Sequence, residues 1–275
     1  MHIKHDAHMH TPFCPHGSAD TLNEYAEAAL LAGLDEISFT EHAPLPEGFH
    51  DPVPNQDSSM QHADLPAYLE ACRLVKKEYD GHLKIRTGLE VDYIAGWEKE
   101  ITRLLNDTGP YLDDAILSVH FLRISSGYIC MDFHEDTFAE LIAACGSLEA
   151  VYRLYYETVL SSAAADLGKW KPARLGHITL VRKFQKQFPR TFDDFPWICE
   201  VIDKAAEQNL ALDVNTAGLY KPLCGEHYPP PEALKHARSK AVRLVYGSDA
   251  HKSSQVGASR AAVDAFLSEH SPFLR

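Results

Sequence analysis

A chain of 275 residues, 45% hydrophobic and 24% charged, is ordinary globular material, long enough for one large α/β barrel or two small domains. Its formal net charge of −13 repels polyanions at long range, which argues against a nucleic-acid partner but not against a small anion met by bound cations. No apolar run of about 18 residues and no basic stretch leading into an apolar one occurs, so neither a membrane span nor a secretion signal is expected.

In chain order, residues 3–8 read as the first strand. Leu22, Tyr25, Ala26, Ala29 and Leu30 then repeat at helical spacing, with Thr21 and Glu24 as a capping box and Gly33 closing the end. A second strand is expected over 36–40. From 43 to 65 runs a loop rich in Pro, Asp, Gln and Ser, long enough to read as a lid or binding loop. Pro66 opens a helix with the stripe Tyr68, Cys72, Val75 and Tyr79, and a third strand follows over 83–89. Trp97, Ile101, Leu104 and Leu105 predict another helix, 115–119 a fourth strand, and 137–166 two helices broken near Gly146. Strands over 174–178, 211–215 and 242–247 alternate with helices marked by Trp197, Ile198, Val201, Ile202 and Ala205 and opened by Pro231, and 260–268 forms a last helix. Seven apolar strands alternating with helices argue for a parallel sheet buried on both faces, open or closed into a barrel. Nothing divides the chain, so one domain over 1–275 is expected. The six scattered cysteines form no Cys-x-x-Cys pair and are expected as reduced thiols in the cytoplasm.

Histidine is the outlier, with 16 residues. Asp6, His8 and His10 end the first strand and His16 follows. Glu41 and His42 end the second strand, Glu90 and Asp92 the third, His120 the fourth, His177 the fifth, Asn215 the sixth, and Asp249 and His251 the seventh. In a parallel barrel all these ends share one face, where barrel enzymes build their sites. Alternate residues of extended backbone point the same way, so His8 and His10 can grip one cation, and Asp249 and His251 can face the same pocket. Imidazole with carboxylate suits Zn, Mn or Fe, whereas calcium wants oxygen donors. One strand-end His is more often hydrogen-bonded than metal-bound; the weight lies in how many share one inferred face. His2, His82, His236 and His270 fit no pattern and are expected at the surface, and His5 inside the first strand. His50, His62, His134 and His227 lie in loops, open to substrate or solvent.

The motifs are Asp-x-His-x-His-Thr at 6–11, Thr-Glu-His at 40–42, Gly-x-Glu-x-Asp at 88–92, Ser-Val-His-Phe at 118–121, Gly-His-Ile at 176–178, Asp-Val-Asn-Thr-Ala-Gly at 213–218 and Gly-Ser-Asp-Ala-His at 247–251. With them the chain resembles the polymerase-and-histidinol-phosphatase superfamily. Its length, the loop after Thr-Glu-His and the Asn-Thr-Ala-Gly-Leu-Tyr-Lys segment resemble the histidinol-phosphatases within it. The resemblance implies a distorted seven-stranded (β/α)7 TIM-like barrel and three divalent transition-metal ions. His8, His10, Glu90 and Asp249 would hold the first, Glu90, His120 and His177 the second, with Glu90 bridging, and His16, His42 and His251 the third. It implies hydrolysis of a phosphoric monoester, L-histidinol phosphate, in histidine biosynthesis, by attack of a metal-bridging hydroxide, with inorganic phosphate as product. Asp249, Glu90 and His251 are the expected catalytic residues.

Around that set, Arg174, Arg182, Asn215 and Lys221, with Arg123, are candidates for substrate contact. Tyr220 stands where the family often has arginine. Asp6 and Glu41 are placed to orient a ligand imidazole, and Asp51, Asp57 or Asp92 to face a substrate amine. Cys14 is expected as a bystander. The assembly is expected to be a monomer or homodimer. Three other readings stay open. One is a phosphoesterase or 3′-5′ exonuclease acting on nucleotides. Another is an amidohydrolase, against which His120 stands where such enzymes often carry a modified lysine. The last is a metal-storage protein, against which two of the three sites have open positions, a mark of catalytic metals.

Overall fold

In the computed structural model, which describes residues 3–269, the apolar runs pair side by side in the parallel sense. β1 (His5–Met9), β2 (Glu36–His42), β3 (Lys84–Asp92) and β4 (Asp114–Ser118) come first in the chain. An antiparallel hairpin of β5 (Phe121–Ile124) and β6 (Gly127–Cys130) follows, and then β7 (Arg174–Leu175), β8 (Ala211–Asn215) and β9 (Leu244–Gly247). The seven strands other than the hairpin form one sheet in the order β1-β2-β3-β4-β7-β8-β9. Met9 bridges Ala250, and the His10 amide donates to Ala250 O at 2.8 Å, so β1 meets the segment leaving β9 and the sheet nearly closes into the expected barrel.

The helices lie between the strands: α1 (Leu22–Leu31), α2 (Leu65–Glu78), α3 (Glu98–Thr108), α4 (Glu135–Cys145), α5 (Leu148–Ala164), α6 (Phe195–Glu207), α7 (Pro231–Ser239) and α8 (Arg260–Glu269). Local signals set their ends. Thr21 Oγ1 accepts from the Glu24 amide while the Glu24 carboxylate accepts from the Thr21 amide, the predicted capping box. Gly146, at φ 86°, stops α4, and the Ser147 side chain caps α5. Inward stripes such as Tyr25, Ala26 and Ala29 of α1 or Tyr68, Cys72 and Val75 of α2 join the main apolar cluster against the strands. Among the described residues, no helix is long and apolar enough to cross a membrane.

Two departures from the expected pattern shape the site. The expected strand over 174–178 is shortened to Arg174–Leu175, leaving His177 on irregular backbone. Gly176 comes so close to β4 that a Cβ there would lie 2.0 Å from Ser118 Oγ. The hairpin β5–β6 was not foreseen, because its short mixed stretch carries no long apolar alternation. It anchors the long loop: Phe49 packs edge-on against Phe121 at 5.4 Å and Tyr128 at 5.1 Å.

Candidate metal centre

The C-terminal ends of the barrel strands converge on Glu90, which is 1% exposed. Its Oε2 lies 3.3 Å from His8 Nε2, 3.6 Å from His10 Nε2 and 3.2 Å from His42 Nδ1. Its Oε1 lies 2.9 Å from His177 Nε2 and 3.9 Å from His120 Nε2, and accepts from Ser118 Oγ at 2.5 Å. One carboxylate thus turns separate oxygens toward separate imidazole groups, the geometry of a bridging ligand.

A carboxylate sits behind three of the rings. Asp213 Oδ2 lies 2.7 Å from His8 Nδ1, Glu41 Oε1 3.2 Å from His10 Nδ1 and Asp92 Oδ1 2.7 Å from His120 Nδ1. Each pair favours a ring proton on Nδ1 and turns Nε2 toward Glu90 or Asp249. Asp249 is held at φ 56°, a left-handed conformation that Asp tolerates better than most residues. Asn215 Nδ2 donates to its Oδ2 at 3.1 Å. Gly247 lets β9 approach β1, since a Cβ there would stand 2.5 Å from His8 Cβ.

The charges are strongly coupled. Burial would raise the carboxyls of Glu90 and Asp249, but the imidazoles around them, His8 foremost, hold both well below the usual carboxylate range. Burial would lower His10 and His120, yet Asp249 and Glu41 push His10 up to about 9, and Asp92 and Glu90 push His120 up to about 10. His42 and His251 go the other way, lowered by burial and by the neighbouring His10.

His8 Nε2, His42 Nδ1 and His177 Nδ1 are buried with no hydrogen bond. Three groups of donor atoms lie mutually within 4.8 Å: His8, His10 and Asp249; Glu90, His120 and His177; and His10, Cys14, His42 and His251. Such sets of imidazole and carboxylate donors, joined in the last by a thiol, fit divalent transition metals. The first group, with Glu90 beside it, and the second coincide with the expected sets. The third differs. His16 is exposed at the rim, its Nδ1 bonded to Asp57 O at 2.8 Å and its ring 5.0 Å from His42 and 5.3 Å from His251, while Cys14 offers its sulfur to the converging atoms.

A pocket of about 370 Å³ opens over the cluster. Val53, Asp57 and Ser58 bring the long loop to its wall, and Phe121, Cys130, Asp132 and Phe133 bring the hairpin side. Lys221 lines it. Arg174, Arg182 and Asn215 do not. Arg174 is 2% exposed beneath the cluster, donating to Ala7 O at 2.9 Å, Asp114 at 3.0 Å and Asp213 at 3.4 Å. Arg182 is 3% exposed and forks onto Asp194 at 2.7 and 3.0 Å. A buried guanidinium needs such partners, which take it from any ligand. Asn215 has its amide engaged by Asp213, Asp249 and the Ala217 amide.

Other expectations are corrected likewise. Asp6 accepts from the Ser248 and Gly257 amides, both at 2.8 Å, instead of orienting a ligand imidazole. β1 carries one extra residue between Asp6 and Met9, so Asp6 loses the facing of His8 and His10. Asp51 binds the Val53 amide and Ser58 within its own loop. Arg123, His50, His62, His134 and His227 lie outside the pocket lining. His5, half-buried at the start of β1, bonds Ser38 Oγ at 2.9 Å, and His2 and His270 lie outside the described residues. Lys183 was missed. It lines the pocket with Nζ 2.9 Å from Asp132 Oδ2. It neighbours Arg182 in the tight turn Leu180–Phe184, where successive side chains diverge, so proximity to His177 in sequence pointed to the wrong one.

The chain as a whole is similar to known proteins. The PHP domain model matches residues 6–217. The histidinol-phosphatase of Bacillus subtilis (strain 168) is 54% identical over 266 residues, 96% of this chain and 98% of that protein. A crystal structure from Listeria monocytogenes, provisionally named a histidinol phosphatase, superposes with TM-score 0.90 at 37% identity, covering 94% of this chain and 99% of that one. The Lactococcus lactis histidinol phosphate phosphatase, crystallised with Zn, L-histidinol and phosphate, shares the fold at TM-score 0.72 and 20% identity, covering 98% of this chain and 94% of that one.

Proposed function

The chain belongs to the PHP domain family, and from that premise we propose that it is a histidinol-phosphatase, hydrolysing L-histidinol phosphate to L-histidinol and inorganic phosphate in histidine biosynthesis. The observation that carries the reading is Glu90, a buried carboxylate whose two oxygens face separate imidazole groups under an open pocket. The protein uses metal ions. We assign three divalent ions, Zn, Mn or Fe, to His8, His10, Glu90 and Asp249; to Glu90, His120 and His177; and to His42 and His251 with His16. The enzyme works in the cytoplasm as a monomer or homodimer, with 1–275 as its catalytic domain.

Bound divalent ions supply Lewis acidity, making a water nucleophilic near neutral pH and offsetting phosphoryl charge. The chain's own residues do the rest. Glu90 and Asp249 bring the negative charge that gathers cations, and Asp213, Glu41 and Asp92 hold the imidazoles in register. Lys221 and Lys183 put positive charge on a pocket wall otherwise rich in carboxylates, where an ester phosphate would lie. Asp57 on that wall suits the ammonium of an amino alcohol. Phe121 and Phe133 give the imidazole of the substrate apolar surface.

The test is phosphate release by metal-loaded protein from L-histidinol phosphate beside nucleoside monophosphates and cyclic amides. Preference for histidinol phosphate, and loss of turnover by about 10³-fold or more in Glu90→Ala, is expected. Faster release from nucleotides would move the assignment to a nucleotide phosphoesterase.

A further inference from the structure

Cys14 is 4% exposed, yet it stands outside the apolar cluster that takes in Cys72, Cys130 and Cys224. Its sulfur lies instead with one nitrogen each of His10, His42 and His251, all four atoms within 4.8 Å of one another. Donors around one four-coordinate zinc, at about 2.3 Å for sulfur and 2.0–2.1 Å for nitrogen, stand roughly 3.3–3.6 Å apart, within that limit. His42 supplies a second sign: its side chain is 9% exposed and its Nδ1, 3.2 Å from Glu90 Oε2, makes no hydrogen bond.

The local chain suits a sulfur donor. The Gly17 amide donates to Cys14 O at 3.1 Å, closing a tight turn that carries the sulfur. His10 already serves the first donor group, where its Nε2 meets Asp249 at 3.1 Å. That leaves Cys14, His42 and His251, with His16 at the rim.

We propose that Cys14 is a metal ligand, completing the His42–His251 site with a thiolate and biasing it toward zinc over manganese. Binding displaces the thiol proton to solvent, and no oxidation state changes. The inference rests on the metal dependence proposed above and adds a donor to it.

Cobalt(II) substitution of the full chain tests it. A near-ultraviolet thiolate-to-cobalt band is expected in the wild type and in Cys130→Ser, whose cysteine also lines the pocket. The band is lost in Cys14→Ser, while visible d–d bands from imidazole-held cobalt persist there and show an intact site. Zinc-loaded wild type should show a sulfur scatterer at about 2.3 Å by X-ray absorption, without any substitution. Cobalt bound with no thiolate band, or a band unchanged in Cys14→Ser, overturns the cysteine ligand and leaves the metal reading standing. A wild type that binds no cobalt overturns both.

Discussion

Three imidazoles at the centre, those of His8, His10 and His120, each have a carboxylate behind the ring; His120 also lines the pocket, while His8 and His10 are buried with Nε2 toward Glu90 and Asp249. The carboxylate raises the basicity of the ring and fixes its angle, so its effect reaches whatever the other nitrogen binds. Asp213 is the best isolated of the three: fully buried, 2.7 Å from His8, and itself held by Arg174 and Asn215. Asp213→Asn keeps the shape and removes the charge. Metal titration should show affinity at the His8 site weakened about 10- to 100-fold, with kcat largely restored at saturating metal. Unchanged metal affinity would mean that Asp213 serves packing alone.

At the scale of elements, the turn Leu180–Phe184 is tied to the start of α6 through Arg182 and Asp194, and Tyr156 of α5 adds a hydroxyl to the same carboxylate at 2.8 Å. This cross-brace leaves Arg182 no role at the phosphate. Arg182→Met strands a buried carboxylate and should destabilise the fold by about 3–5 kcal/mol. The KM for substrate should stay near the wild-type value, and a large KM rise with unchanged stability would restore the arginine to the pocket. The brace is also acid-sensitive. Burial would raise Asp194, but Arg182 and Arg190 hold it below the ordinary carboxylate range. A depressed folded-state pKa adds stability that is complete above the unfolded value of about 3.9 and declines as pH falls through the lower folded value. Wild type should therefore lose more stability than Arg182→Met on acidification below about pH 4, read by denaturant unfolding.

Across the whole molecule, donor atoms from β1, β2 and β3 and from the segments just past β4, β7 and β9 meet in one cluster, with Asp213 of β8 behind a ring, so cation binding ties the barrel together. Ligands that bind only the folded state raise its stability by mass action. Zinc or manganese should raise the melting temperature in a concentration-dependent way, and a chelator should lower it; a melting temperature indifferent to both would remove the metals from the account. Much of this was legible in the residues themselves. The strand–helix alternation, the capping box at Thr21 and the polar residues at strand ends follow from local rules of propensity and periodicity, which act over a few neighbouring positions. That alternation, with the motifs at 6–11, 88–92 and 247–251, was enough to expect a barrel with an imidazole and carboxylate face. What local rules do not carry is the direction of a side chain once the backbone leaves ideal geometry. The extra residue in β1 turned Asp6 away, the tight turn after His177 set Lys183 toward the pocket and Arg182 into a buried pair, and Cys14 came beside His42 and His251. Those outcomes belong to the tertiary structure, because a buried charge goes to whichever partner the closed barrel brings within reach.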